Sequence, residues 1–287
     1  MLKCWIEAMR LRTLPVSAAG VITAWAFALW SGTFKVVPAV ICLLFALLAQ
    51  IASNFANEYF DFRDGLDRPG RVGPRRGVTE GDITPRAMLI ATAVTVALAC
   101  CLGLSLLFYG PWWLLIVGIL VVVGVYAYSA GPYPLSRHAL GEVAVVVFFG
   151  IVPVNFTYYL MAGTFNATVF NASLAIGLMG ANILLVNNYR DIDDDRSVGK
   201  HTLATRFGAS FASALYLING WVAMALLGAL FSTLPIYCAV APIIYLTIHT
   251  LLWIALLQRK GTSLNPLLGI TALNMLLFSL TLLILFL

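Results

Sequence analysis

An uncharged run followed directly by a charged one is the most informative part of this sequence. The uncharged run is VVPAVICLLFALLAQIASNFAN at residues 36–57, and the charged run is EYFDFRDGLDRPGRVGPRRG at residues 58–77. The first part is long enough for one bilayer-spanning helix, which needs about 20 mostly apolar residues. The second part carries four acids and five arginines. Because only 10% of the chain is charged and 61% is hydrophobic, this concentration of charge at a predicted helix end indicates a functional site.

Uncharged runs make up most of the chain, at residues 13–34, 36–57, 87–136, 143–189, 207–258 and 261–287. Polar or turn-forming residues divide the three longest runs into two spans each, at 109–111, 163–171 and 232–235. Spans in lipid must satisfy their backbone hydrogen bonds internally, and the alternating polarity of barrel strands is absent from the sequence. We therefore predict an all-α membrane protein with nine transmembrane helices, forming a single domain over residues 1–287.

The basic residues predict the orientation of these helices. With nine spans and a cytoplasmic N-terminus, 16 of the 17 lysines and arginines fall on the cytoplasmic side, and only Lys35 does not. Short cytoplasmic loops carry an excess of Lys and Arg, so this sorting predicts a multi-pass protein of the inner (cytoplasmic) membrane. The net charge of +5 then reflects topology and anionic lipid headgroups, and we expect no nucleic-acid partner.

A second charged stretch, NNYRDIDDDRSVGKHTLATRFG at residues 187–208, matches the first. Each stretch opens with Asn and has Asp four residues later, at Asn57 and Asp61 in the first and at Asn187 and Asp191 in the second. Both lie at the cytoplasmic ends of predicted helices, the second and the sixth. We therefore predict two four-helix pseudo-repeats plus a ninth helix, arranged around a central cavity that both stretches face.

The composition of the two stretches predicts what the cavity binds. Residues three or four apart share a helix face, which groups Asn57, Asp61 and Asp64, and likewise Asn187, Asp191 and Asp195. Facing carboxylates repel unless cations lie between them, and oxygen ligands suit Mg²⁺, which completes its shell with water and substrate phosphate. The cations available for phosphate are Arg68, Arg71, Arg75, Arg76, Arg190, Arg196, Lys200 and Arg206. Carboxylates, metal and arginine together predict a diphosphate site covered by the Gly- and Arg-rich loop.

Four further segments carry a resemblance to a known family: AMRLRTLP at 8–15, RVGPRRG at 71–77, AYSAGPYPL at 127–135 and LGE at 140–142. With the two acidic stretches, they make the chain resemble the UbiA superfamily of intramembrane aromatic prenyltransferases, whose Asp-rich motifs lie on the second and sixth of nine helices. The GPYPL loop lacks the Lys-Arg pair expected of 4-hydroxybenzoate enzymes, which favours the naphthoate branch. Two departures from the family pattern are Glu58 after Asn57, and the extra acids Asp193 and Asp194.

The resemblance implies Mg²⁺-dependent transfer of a polyprenyl group from polyprenyl diphosphate to 1,4-dihydroxy-2-naphthoate. Diphosphate and CO₂ are released, and the product is demethylmenaquinol, an intermediate of menaquinone biosynthesis. By motif position, the resemblance assigns Mg²⁺ and diphosphate to Asn57, Asp61, Asp67, Asn187, Asp191 and Asp195. It adds Arg12, Arg71, Lys200 and Arg206 as substrate-binding residues. The predicted catalytic set is Asp61, Asp191, Asp195, Tyr126 and Tyr128, the tyrosines offering aromatic faces to a carbocation. An interfacial aromatic belt is the alternative for the two tyrosines.

Other interpretations stay open at this point. Within the enzymes, the acceptor is alternatively another aromatic acid such as 4-hydroxybenzoate. Arg137 or Glu142 is a candidate contact for the charged or hydroxyl groups of the naphthoate, with membrane orientation by headgroups as the alternative role. A different class is a cation-coupled secondary transporter, although transporters place paired acids near the midplane and not at helix ends. Prenyl chain length and oligomeric state are not encoded in any motif. The sequence does not show whether Glu58 and Asp64 bind metal or only balance the positive charge of the arginines around them.

Overall fold

The computed structural model describes residues 2–69 and 72–287, and in these ranges the chain is helical, with one isolated β-bridge between His138 and His201. The predicted all-α class is confirmed. The first helices are α1 (Leu2–Met9), α2 (Leu14–Trp30), α3 (Val36–Arg63), α4 (Pro85–Ser105), α5 (Leu114–Ala127), α6 (Gly141–Val145) and α7 (Val152–Ala162). They are followed by α8 (Ala167–Arg190), α9 (Ile192–Ser197), α10 (Leu203–Phe207), α11 (Ala209–Leu226), α12 (Gly228–Thr233), α13 (Val240–Gln258) and α14 (Asn265–Leu285).

Eight helical segments in the described ranges are long and apolar enough to cross a membrane, with mean hydropathies of 1.5 to 2.4. They are Leu2–Trp30, Val36–Arg63, Pro85–Phe108, Gly141–Ala162, Ala167–Arg190, Ala209–Thr233, Ile236–Gln258 and Gly261–Leu285. A shorter apolar helix, α5, lies between the third and fourth of them. The boundaries within the three longest uncharged runs fall near Tyr109, Gly163 and Ser232, where polar or turn-forming residues were expected.

Local sequence signals explain where α3 ends and α4 begins. Gly65 has a φ of +71°, a left-handed conformation that glycine adopts without a steric cost, and it ends α3 as the sequence predicts. The Thr84 hydroxyl accepts a hydrogen bond from the Ala87 N–H at 3.2 Å and caps α4, with Pro85 at the first helical position. The connection between α3 and α4 is thus bounded by well-defined helix ends, and its Val78 N–H donates to Glu58 Oε1 on α3 at 3.1 Å.

The core lies where α2, α8 and α14 pack together with α7 and α11. Small residues allow the helices to approach closely, as expected where lipid tails remove the hydrophobic drive for packing. A Cβ atom on Gly20 would lie 2.6 Å from the Phe149 carbonyl, and one on Gly177 would lie 2.8 Å from the Val146 carbonyl. Both contacts involve the π-helical segment Val146–Ile151, which joins α6 to α7 and presents Phe148 and Phe149.

The N-terminal helix α1 is a feature that the hydropathy pattern does not reveal. Trp5 packs edge-to-face on Phe55 of α3, with ring centroids 5.7 Å apart, and Ala8 is buried against the same helix. The helix then breaks at Arg10, a non-glycine residue with a φ of 52°. This break places the Arg10 side chain at the charged end of α3, where the candidate site lies.

Candidate active site

The two acidic stretches meet at one polar cavity of about 860 Å³. Its wall includes the ends of α3 and α8, residues 66–69 and 73–76 between α3 and α4, and the start of α2. Residues from both stretches lie on this wall, including Asn57 and Asp61 from the first and Asn187 and Asp195 from the second. The fold therefore brings together two regions 130 residues apart, as the matched motifs predict.

Asn57 is the centre of the first acidic stretch. Its Nδ2 donates to Asp61 Oδ2 at 2.8 Å and to Ser129 Oγ at 3.0 Å. Its Oδ1 accepts from Arg10 Nη2 at 2.6 Å and from Arg76 Nη2 at 3.1 Å. Both amide protons and both lone pairs are thus engaged. In this state Asn57 orients Asp61 and joins three segments of the chain.

Arg76 is the buried cation of this half of the site, with 7% of its surface exposed. Its Nε lies 3.1 Å from Asp67 Oδ2, and its Nη2 lies 3.9 Å from Asp61 Oδ2. Its Nη1 is 4.0 Å from Glu58 Oε2, and Glu58 Oε1 accepts the Val78 N–H at 3.1 Å. Glu58 is 1% exposed and lies outside the cavity wall, so it holds the loop and balances Arg76.

Arg137 contacts two aspartates at the end of α3, Asp61 and Asp64. Its Nη1 lies 2.7 Å from Asp64 Oδ2, its Nη2 lies 3.7 Å from Asp61 Oδ1, and Nη2 also donates to the Ser129 carbonyl at 3.0 Å. The hydrogen bond from Arg63 Nε at 2.7 Å, together with Arg137, holds the pKa of Asp64 below its ordinary value. Asp64 is off the cavity wall. Like Glu58, it balances arginines in this structure.

The second acidic stretch is organised by a local cation. The buried Arg190 donates to both carboxylate oxygens of Asp191, at 2.6 Å and 2.7 Å, and its Nη2 also donates to Asn187 Oδ1 at 2.7 Å. Its Nη1 donates to Asn265 Oδ1 on α14 at 2.8 Å. Asp191 is 2% exposed, and its side chain is not part of the cavity wall.

Asp194 and Asp195 are the aspartates of this stretch that line the cavity. The break between α8 and α9 falls at Asp191, and Asp195 follows on α9. Lys200 Nζ lies 3.2 Å from Asp195 Oδ1, and both side chains are on the cavity wall. The carboxylate of Asp195 on α9 is thus paired with the ammonium group of Lys200.

The structure brings most of the predicted site residues to the cavity wall: Arg12, Asn57, Asp61, Asp67, Tyr128, Asn187, Asp195 and Lys200. Three others among the described residues are not on it. Asp191 is held by Arg190, Arg206 is exposed on α10, and Tyr126 packs near Phe60 with ring centroids 6.5 Å apart. Arg71 lies outside the described residues.

Several residues on the wall have roles that sequence reasoning did not assign. Arg10 and Arg12 belong to the same AMRLRTLP segment and both line the cavity, but only Arg12 was assigned a role. Arg10, at the left-handed break, is the one whose Nη2 lies 2.6 Å from Asn57 Oδ1. Arg76 was one of many available cations, and nothing in the loop sequence marks it as the buried one. Glu142, which the sequence offered as a contact of the acceptor, lies on the wall and accepts a hydrogen bond from Asn188 Nδ2 at 2.9 Å.

The oxygen donors on the cavity wall fit Mg²⁺. Within residues 2–69 and 72–287, no group of three or more His, Cys, Asp or Glu side chains forms a complete metal cluster. Mg²⁺ commonly binds through one or two carboxylates and takes its other ligands from water and substrate phosphate. Asp61 Oδ1 has no hydrogen bond in the described residues and is available as a ligand. Asp61, Asp67 and Asp195 are therefore suited to supply one or two ligands to a metal whose other ligands come from a diphosphate and water.

A second, apolar cavity of about 150 Å³ adjoins the polar one. It is bounded by α2, α3, α5 and the π-helical segment, with Phe148, Val125 and Leu114 among its walls. Five residues line both cavities: Gln50, Ser53, Tyr128, Val145 and Phe149. The two together suit a molecule with a charged head and a hydrocarbon tail.

Comparison with known structures shows the fold. The chain superposes on a UbiA homolog from Archaeoglobus fulgidus bound to GPP and Mg²⁺ with a TM-score of 0.67 and 15% identity, covering 98% of this chain and 99% of that one. A UbiA homolog from Aeropyrum pernix superposes with a TM-score of 0.71 and 20% identity, covering 92% of this chain and 94% of that one.

Comparison of sequences shows the family. The 1,4-dihydroxy-2-naphthoate octaprenyltransferase of Escherichia coli is 39% identical over 212 residues, which are 72% of this chain and 69% of the relative. The protein of the same name from Haemophilus influenzae is 34% identical over 222 residues, 72% of this chain and 70% of the relative. Residues 19–266 match the UbiA prenyltransferase family. This excludes the transporter interpretation: the chain belongs to the UbiA prenyltransferase family and is a prenyltransferase.

Proposed function

We propose that the protein transfers a polyprenyl group from polyprenyl diphosphate to 1,4-dihydroxy-2-naphthoate, releasing diphosphate and CO₂ and giving demethylmenaquinol. One observation carries the proposal: carboxylates and cations from both acidic stretches line a polar cavity that continues into an apolar one. The acceptor is supported by the relatives from Escherichia coli and Haemophilus influenzae, whose names give that naphthoate.

In this proposal the polar cavity binds the diphosphate. Asp61, Asp67 and Asp195 would supply one or two carboxylate ligands to Mg²⁺, and Asn57 and Asn187 lie beside them on the wall. When bound, Mg²⁺ neutralises negative charge on the diphosphate. Charge that grows on the leaving oxygen is also stabilised by fixed cations, the largest contribution in many such sites. Of the substrate-binding cations that the resemblance assigns, Arg12 and Lys200 line the described part of the cavity. The cavity is also lined by other cations that the sequence offered for phosphate: Arg68, Arg75, Arg76 and Arg190.

The reaction then takes place where the two cavities join. The allylic C–O bond breaks and its electron pair leaves with the diphosphate. The ring carbon that bears the carboxylate forms the new C–C bond, and CO₂ leaves while its bonding pair returns to the ring. Tyr128 and Phe149 line the junction and offer aromatic faces to the allylic cation. The apolar walls beyond them exclude water from it.

We further propose nine spans with the N-terminus and the cavity on the cytoplasmic side of the membrane, in a single domain over residues 1–287. This topology is supported by the eight long apolar segments together with the shorter α5. It is also supported by the position of the cavity at the helix ends that carry the basic loops, since such loops are typical of the cytoplasmic side.

The test is a transfer assay with the purified protein in lipid nanodiscs. We expect 1,4-dihydroxy-2-naphthoate labelled with ¹⁴C in its carboxylate to release labelled CO₂ when polyprenyl diphosphate and Mg²⁺ are present, and not after EDTA treatment. Unlabelled reactions should yield the prenylated naphthalene by mass spectrometry. 4-Hydroxybenzoate serves as the competing acceptor. Transfer to 4-hydroxybenzoate but not to the naphthoate would contradict the proposed acceptor.

A further inference from the structure

A chain of hydrogen bonds connects the break at Arg10 to Gln50, deep in α3. The break leaves two backbone carbonyls for side chains to bind. The Met9 carbonyl accepts from Asn54 Nδ2 at 2.9 Å, and the Arg10 carbonyl accepts from the Thr13 hydroxyl at 2.9 Å. Gln50 Nε2 lies 3.1 Å from Thr13 Oγ1 and 3.3 Å from Asn54 Oδ1.

The two carbonyls determine which way the Gln50 amide faces. A carbonyl oxygen only accepts, so Asn54 must turn its Nδ2 to Met9 and its Oδ1 to Gln50. The Thr13 hydroxyl donates its proton to the Arg10 carbonyl and can therefore only accept from Gln50. Both neighbours thus require a donor, and Gln50 presents its Nε2 to them. A flipped amide would face two acceptors with its oxygen.

This orientation directs Gln50 Oε1 away from the chain of hydrogen bonds. The residue is 9% exposed and lines both cavities, and Oε1 has no hydrogen-bond partner within the described part of the chain. On the facing helix α2, Ser17 Oγ is likewise buried, lines the apolar cavity and has no partner in those ranges. Buried polar atoms are normally hydrogen-bonded, and leaving one unpaired costs stability. Two such atoms on one cavity indicate a ligand.

The location and chemistry of Gln50 Oε1 define that ligand. Gln50 lies two helical turns from Asn57, about 10 Å along α3 at 1.5 Å per residue, and so below the charged end of the cavity. The junction there is lined by Tyr128, Val145 and Phe149, whose apolar surfaces suit a flat ring. An amide oxygen accepts and never donates, so it selects a hydroxyl and disfavours a carboxylate.

We propose that Gln50 Oε1 accepts a hydrogen bond from a ring hydroxyl of the aromatic acceptor, which makes Gln50 a specificity-determining residue. The proposal rests on the proposed function, because it assumes a hydroxylated aromatic substrate. Thr13 and Asn54 act as positioning residues that hold the amide in its accepting orientation. The carboxylate of the acceptor lies elsewhere in the junction, away from this oxygen.

The test compares binding of three probes to wild type and to Gln50→Met, a variant of similar shape without the amide. The probes are 1,4-dihydroxy-2-naphthoate and its two analogues that each lack one hydroxyl, titrated anaerobically without polyprenyl diphosphate. We expect wild type to bind one analogue about tenfold more weakly than the dihydroxy compound. Gln50→Met should bind the dihydroxy compound about tenfold more weakly than wild type does, and that analogue equally well.

Asn155→Leu is the matched control, because Asn155 is an equally buried amide on α7 that lines neither cavity. It should bind all probes as wild type does. Two results would overturn the proposal: Gln50→Met weakening all three probes by one factor, which marks a structural role, or weakening none, which marks an oxygen already satisfied by water. Wild type that discriminates between no probes but still transfers the prenyl group rejects the role of Gln50 alone. Wild type that neither binds nor prenylates any of them rejects the proposed function, and this inference with it.

Discussion

The two acidic helix ends share one sequence pattern but are built differently. At the end of α3, the Asn and Asp of the motif bind cations from distant segments: Arg10 and Arg76 contact Asn57, and Arg137 approaches Asp61. At the end of α8, one neighbouring residue, Arg190, binds both members of the motif.

This difference determines which carboxylates line the cavity. With cations supplied from outside, Asp61 keeps one oxygen without a hydrogen bond and stays on the cavity wall. With a local arginine on both of its oxygens, Asp191 is withdrawn, and Asp195 on the next helix lines the cavity. Pseudo-symmetry in sequence therefore does not extend to equal roles for equivalent aspartates.

The largest effect should come from Asp61→Asn, which removes the charge of a wall carboxylate while keeping its shape. We expect turnover to fall by about 100- to 1,000-fold, because the site loses charge needed for the metal and diphosphate. Turnover is measured by prenyl transfer in nanodiscs over a range of Mg²⁺ concentrations. The matched control is Asp64→Asn, which lies on the same helix end but off the wall and should retain activity within about threefold. Equal losses in both would contradict the distinction between wall and balancing carboxylates.

Asp191→Asn and Asp195→Asn should have different effects, because Asp191 is bound by Arg190 and Asp195 lines the cavity. Asp191→Asn leaves the buried Arg190 without its charge partner, and breaking such a pair costs about 3–5 kcal/mol. We expect a marked loss of thermal stability along with loss of turnover, while Asp195→Asn keeps wild-type stability and needs more Mg²⁺.

Thermal unfolding of the detergent-solubilised variants, followed with and without Mg²⁺, provides the measurement. Arg190→Met combined with Asp191→Leu removes both buried charges and should recover much of the stability, since apolar replacements for buried ion pairs are often neutral. Wild-type stability in Asp191→Asn would show that this carboxylate does not hold Arg190 in place.

The smallest effect on activity should come from Lys200 and Arg206, to which the motif assigns the same substrate-binding role. Lys200 lies on the cavity wall beside Asp195, while Arg206 is exposed on α10. We expect Lys200→Met to raise the KM for polyprenyl diphosphate about tenfold and Arg206→Met to change it less than twofold. Steady-state kinetics at saturating acceptor measures both. A larger effect for Arg206 would restore it as the phosphate contact that the motif predicts.

Much of the fold was predictable because it depends on neighbours in sequence. The helix breaks near Tyr109, Gly163 and Ser232 follow from local polarity, and the ends at Gly65 and Thr84 follow from local backbone chemistry. The short helix α1 and the break at Arg10 were not predictable. A left-handed arginine carries no sequence signal, and it persists only because the surrounding structure holds it.

The candidate site was predictable in its composition but not in its pairing. Asn57, Asp61, Asp67, Asn187, Asp195 and Lys200 were predicted and line one cavity. The helix-face rule also groups Asp191 with Asp195, but the helix breaks at Asp191 and Arg190 turns it away. Tyr126 and Tyr128 were also predicted together, but residues two apart point to different sides of a helix. Tyr126 therefore lies beside Phe60, and Tyr128 lies on the cavity wall.

The sequence alone predicts an all-α membrane prenyltransferase whose acidic residues gather at two helix ends. Hydropathy, turn residues and motif spacing act over a few residues, so they can be read along the chain. The pairing of cations with carboxylates and the orientation of the Gln50 amide are seen only in the tertiary structure. Those contacts join residues far apart in sequence, such as Arg10 with Asn57 and Asn57 with Ser129. They exist because helix packing brings these side chains together, and no local pattern encodes that packing.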